Sequence, residues 1–110
     1  MQAIDIEAYQ AGISWASECA DSGQLTRLVV FRQRLERSRI MSWTGFFEGK
    51  GCCGYTPSEM VAFEILGTEQ GVSRADAKDF WQRILGEDVD RTREPTYVRA
   101  FAEGALVGLH

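Results

Sequence analysis

Thr56-Pro57-Ser58-Glu59-Met60-Val61-Ala62-Phe63-Glu64-Ile65-Leu66-Gly67 is the strongest local signal in this chain. Thr56 has the side chain of an N-cap. Pro57 follows at N1, where its missing N–H costs nothing. Glu59 stands three residues on, where its carboxylate reaches back to the Thr56 backbone N–H. An apolar run follows, and Gly67 or Gly71 ends it. The same grammar repeats at once. Ser73 is an N-cap, Asp76 closes a second capping box, and Ala77, Phe80, Trp81, Ile84 and Leu85 form a buried stripe that Gly86 terminates.

Two more helices are read towards the N-terminus. Over residues 5–21, Ile6, Tyr9, Ile13, Ala16 and Ala20 recur at spacings of three and four, with Asp5 as cap; Gly12 lowers helix propensity there and permits a close packing partner. Ser22-Gly23 is read as a stop. Over residues 24–42, Leu25, Leu28, Val29, Leu35 and Met41 form a stripe among Arg27, Arg32, Arg34, Arg37 and Arg39. The short connection predicts that these two helices are antiparallel neighbours. Residues 43–55 carry four glycines and are expected to be a loop, with Trp43, Phe46, Phe47 and Tyr55 folding over the core. Residues 87–93 read as a charged connection. Pro95 opens a last helix whose Ala100, Ala102, Gly104, Ala105 and Gly108 allow a partner, internal or from another subunit, to come close.

No segment sustains strand alternation, so the expectation is an all-α, compact bundle of about five helices with one Gly/aromatic-rich loop (residues 43–55), in a single domain over residues 1–110. With 45% hydrophobic and 25% charged residues, the chain belongs to the globular class and not the disordered one. No apolar run reaches a membrane-span length and no basic leader precedes one, so the expected location is cytoplasmic with no membrane partner. The net charge of −4 argues against general nucleic-acid binding. Its distribution runs acid, base, acid: acids only up to residue 22, an arginine-rich excess over 23–50, and acids in excess again beyond.

Residues 62–84 have a loose resemblance to a helix-turn-helix, because Gly71-Val72-Ser73-Arg74 matches the turn of many bacterial repressors and Phe80 supplies the later apolar position. Gly67 stands where alanine is usual. The would-be reading helix opens with Asp76 and Asp79, which would oppose phosphates. Cys52-Cys53 lacks the spacing of a zinc pair, and His110, the sole histidine, is not placed to act as a base beside it. Lys50 is the one nearby group that lowers a thiol pKa. Neither a P-loop spacing nor a Ser/His/Asp set occurs, and no metal or cofactor is expected.

The leading expectation is therefore a small non-catalytic interaction or regulatory protein that binds a macromolecular partner, most readily a protein, through a charged helical face. Arg27, Arg34 and Arg37 would meet an acidic partner, and Asp76 and Asp79 a basic one. Phe46 and Phe47, with the small-residue side of the last helix, are candidate contacts for a homodimer. In size and charge alone the chain is similar to phage- and plasmid-encoded inhibitors, including anti-CRISPR proteins, that present carboxylates where phosphates would sit in a nucleic-acid-binding complex. The alternatives are a DNA- or RNA-binding regulator using helix 24–42 or residues 62–84, and a redox protein centred on Cys52 and Cys53.

Overall fold

A computed structural model describes residues 5–38, 42–49, 54–67 and 71–108. Six α-helices carry the described chain: α1 (Ile6–Glu18), α2 (Ser22–Arg37), α3 (Trp43–Glu48), α4 (Pro57–Leu66), α5 (Arg74–Leu85) and α6 (Pro95–Val107), with a 3₁₀ helix over Gly86–Arg93. The all-α expectation holds. The capping boxes form as read: the Thr56 hydroxyl accepts from the Glu59 N–H while the Glu59 carboxylate accepts from the Thr56 N–H, and Ser73 and Asp76 do the same at α5. Asp5 caps α1 by accepting from the Ala8 N–H.

The sequence reading is corrected at four places. Residues 43–48 are not loop but helix α3, because Ser42 caps it through the Gly45 N–H at 2.9 Å and Trp43, Phe46 and Phe47 fall on one buried face. Aromatic burial outweighs the helix penalty of Gly45, and Gly49 serves as the C-cap. Ser22-Gly23 is a start and not a stop: Asp21 is the N-cap of α2 and makes a capping box with Gln24. Residues 86–93 are a 3₁₀ helix rather than an open connection. Finally, the main neighbour of α1 is α6, not α2. Arg39, Met41, Cys52 and Cys53 lie outside the described residues.

The α1–α6 pair is the tightest in the molecule. Ala8 packs with Tyr97 and Ala100, Gly12 meets the backbone at Phe101 and Ala105, and Gly108 meets Ile13 and Ala16. Residue numbers rise together along both helices, so they run parallel. Ala8, Gly12 and Ala16 on one helix and Ala100, Gly104 and Gly108 on the other repeat every four residues, which gives each helix a smooth side with no side chain to hold the backbones apart. The small-residue side of α6 thus has an internal partner, which removes it as a homodimer contact.

α6 is the centre of the bundle, packing on α1 and also against α2, α3, α4 and the 3₁₀ helix. Phe101, fully buried, stacks its ring edge-to-face with Trp81 of α5 at 5.0 Å and lies against Trp15 of α1 at 5.7 Å. A second aromatic group, Phe31, Trp43, Phe46 and Phe47, closes the opposite part of the core between α2 and α3. Among the described residues, no polar or charged side chain is buried. The polar side chains described lie at or near the surface.

Candidate functional site

α1 and α5 are joined mainly by one ring contact, Trp15 edge-on to Phe80 at 5.8 Å, and their backbones otherwise stay apart. The separation leaves a cleft of 710 Å³ along the C-terminal half of α1 and the length of α5. Trp15 and Phe80 form its floor, and Leu66, Val72 and Ile84 give it half-buried apolar walls. The rim is polar and exposed: Glu18, Asp76, Asp79 and Arg83. Cys19 is an exposed free thiol beside Glu18.

The rim holds three carboxylates against one guanidinium, and that guanidinium is engaged: Arg83 Nε lies 3.1 Å from Asp79 one turn away. Glu18 has no ion-pair partner among the described residues and occupies the last position of α1, whose last turn contains no basic residue. A carboxylate there faces the negative end of the helix dipole, which is locally unfavourable. Both terms add negative potential at one end of the cleft. A departure from good local chemistry of this kind is expected where function, not stability, sets the residue.

Asp76 has a structural task as well. Its carboxylate accepts from the Ser73 N–H at 2.8 Å and from the Ser73 hydroxyl at 2.9 Å, and these bonds, the backbone one foremost, hold its pKa below the ordinary 3.8. A depressed carboxylate pKa means that the folded state is favoured by ionisation above that ordinary value, and the contribution fades as pH falls through the folded value. Asp76→Asn keeps the shape and removes the titration. The Tm gap between wild type and this variant should narrow as pH is lowered from about 7 towards 3, read by circular dichroism; a gap unchanged across that range contradicts the assignment.

The basic candidates do other work. Arg27 is half-buried and its Nε donates to the Ile65 carbonyl at 2.9 Å, satisfying one of the free carbonyls at the end of α4. Arg34 pairs with Glu64 and lies over the Phe31 ring, and Arg32 pairs with Glu36 and lies over Trp43 at 5.1 Å. Arg37 alone of the three chosen arginines is exposed with no ion pair among the described residues. The arginines are therefore largely partners of the bundle itself. Phe46 and Phe47 are 1% and 2% exposed, so they are core and not contact surface, a correction to the expectation drawn from the glycine-rich context. Of the residues chosen from sequence, only Asp76 and Asp79 are brought to the cleft.

Asp5 and Glu7 find their cation outside α2. Arg91 of the 3₁₀ helix takes both carboxylates and stacks on Tyr97 at 4.6 Å. That cluster ties the start of α1 to α6 and raises the Arg91 pKa, chiefly through the Glu7 hydrogen bond.

Comparison of the chain with protein-family models, curated proteins and solved structures finds no match. The geometry stands alone in bearing on function. Residues 67–73 connect α4 and α5, longer than the three or four residues of a helix-turn-helix turn, and the cleft-facing side of α5 is acidic. Among the described residues, no three metal-ligating side chains cluster, and no helix is long and apolar enough to cross a membrane.

Proposed function

We propose that this is a non-catalytic interaction protein whose α1–α5 cleft receives a basic surface of a protein partner. The acid-rimmed, apolar-floored cleft carries this reading, because its floor offers area to bury and its rim selects cations. Arg27, Arg32 and Arg34 each have a partner within the bundle, which supports the acidic cleft over the arginine face as the contact surface. A regulator of a nucleic-acid-binding complex is the finer form of the reading: proteins that hold nucleic acid expose basic segments, and a carboxylate-rimmed cleft competes for them.

The test is affinity capture from lysate of the source organism with wild type, with Glu18→Lys/Asp79→Lys and with Arg34→Glu/Arg37→Glu, each with and without nuclease. The expected result is a nuclease-resistant protein retained by wild type and the arginine variant and lost from the cleft variant. Asp76 is left intact because reversing it would also break the capping box of α5. Capture that survives the cleft variant overturns the reading. Loss on nuclease treatment assigns the chain to nucleic-acid binding, and a phenotype confined to Cys52→Ser/Cys53→Ser assigns it to thiol chemistry.

A further inference from the structure

We infer that the occupant of the cleft is an amphipathic basic helix, laid between α1 and α5 with its apolar stripe on Trp15 and Phe80. The inference rests on the interaction reading above and narrows the class of partner.

Backbone accounting decides between a helix and an extended segment. An extended chain buried in a groove must hydrogen-bond its N–H and C=O groups to the groove wall. The flanking walls are α1 and α5, whose mid-helix backbone groups are committed within their own helices, and no strand edge exists among the described residues. Free backbone groups in the lining are confined to the end of α1 and the Gly71-Val72 connection, too few to pair an extended segment along the cleft. A helix satisfies its own backbone and presents only side chains, so it loses nothing on entering. The floor is apolar along its middle, which matches residues at i, i+3, i+4 and i+7 of such a helix. The acids lie on the rim: Glu18 on one wall, Asp76 and Asp79 on the other. Lysine or arginine flanking the apolar stripe of the occupant meets both walls. The negative end of the α1 dipole, uncompensated beside Glu18, adds to the attraction at that end. A small apolar ligand would fill the floor but leave the rim charges without a role.

The experiment uses the full chain and four synthetic peptides of about 15 residues, long enough to form helix on binding. The first carries a leucine stripe at helical spacing with Lys and Arg elsewhere. The second replaces the bases by Glu. The third has the composition of the first with the stripe scrambled, and the fourth is the first with a central proline. Affinity is read by fluorescence anisotropy, and helix gain by far-UV circular dichroism. The first peptide should bind and gain helicity, at least tenfold tighter than each of the others, and Glu18→Lys/Asp79→Lys should weaken it by about tenfold while the variant stays folded, the relief at Glu18 offsetting the lost Asp79–Arg83 pair. Equal binding of the scrambled or proline peptide, binding of the acidic one, or failure of the first to bind at millimolar concentration overturns the helix assignment. If any of these occurs while the lysate partner still depends on Glu18 and Asp79, the interaction reading stands and only the helical form fails. If the lysate partner ignores both residues, the interaction reading itself fails.

Discussion

Truncating Phe101 to alanine should cost about 3–5 kcal/mol, a large part of the roughly 5–15 kcal/mol that holds a domain of this size together. Phe101 has no solvent exposure and joins three helices, since it belongs to α6 and touches Trp15 of α1 and Trp81 of α5. Its loss removes the burial of the ring and both aromatic contacts. It leaves a cavity lined by two indoles that cannot collapse freely: the Trp81 Nε1 is held by the Ser58 carbonyl at 2.8 Å, and Trp15 is wedged against Phe80. Thermal unfolding should shift down by roughly 15 °C or more. Phe101→Leu should recover about half of the loss, because most of the apolar volume returns without the ring edges. A fall of less than about 1 kcal/mol for the alanine variant would mean that the three helices are held together elsewhere.

The second large effect is expected from a single added methyl group. Alanine at an exposed mid-helix glycine normally stabilises by about 1 kcal/mol. Gly104→Ala should do the reverse. A Cβ at Gly104 would lie 2.0 Å from the Tyr9 carbonyl oxygen, and one at Gly12 would lie 2.0 Å from the Phe101 carbonyl oxygen. Both obstacles are backbone, so relief requires the two helices to separate along their whole contact. The expected cost is about 1–3 kcal/mol for Gly104→Ala, beyond the propensity gain that it cancels, and more for valine. Gly12→Ala should behave alike, and the double variant should cost less than the sum, because the first methyl already parts the helices. Gly23→Ala is the control. Its Cβ would meet side chains and no backbone, the Arg27 guanidinium and the capping Asp21 carboxylate, each at 3.3 Å, so the change should stay within about 0.5 kcal/mol of zero. Urea unfolding of the four proteins reads all of this, and a neutral Gly104→Ala would contradict the close approach.

Local grammar in the sequence was easy to read and long-range pairing was not. The capping boxes at Thr56 and Ser73, the Asp5 cap, the proline starts and the glycine ends at Gly67 and Gly86 depend on residues a few positions apart and stand in the structure as written, whereas Ser22-Gly23, read as an end, opens α2 behind the Asp21 cap. α3 was missed because four glycines were weighed ahead of Ser42 and the spacing of Trp43, Phe46 and Phe47. The role of Arg27 depends on a carbonyl in α4, and no helix-local rule points there. The small residues of α6 announced a close partner without naming it. The cleft was half legible: Asp76 and Asp79 were marked, whereas Trp15 and Phe80 looked like ordinary core. The remaining clue was Glu18 at the end of α1, a misplaced charge by the dipole rule.

The parallel pairing of α1 with α6 has a consequence for the order of folding. α1 is completed by α6, which is made after all the other described helices, so its glycine-and-alanine side stays uncovered until then. The contacts that join them have high sequence separation, and the closing entropy must be met before either helix gains from the other. The α2–α4 part of the bundle is free to assemble early, around the Arg27–Ile65 hydrogen bond and the aromatic cluster of α2 and α3. α1 remains a waiting segment on the ribosome, open to chaperones, until α6 arrives and slides in beside it.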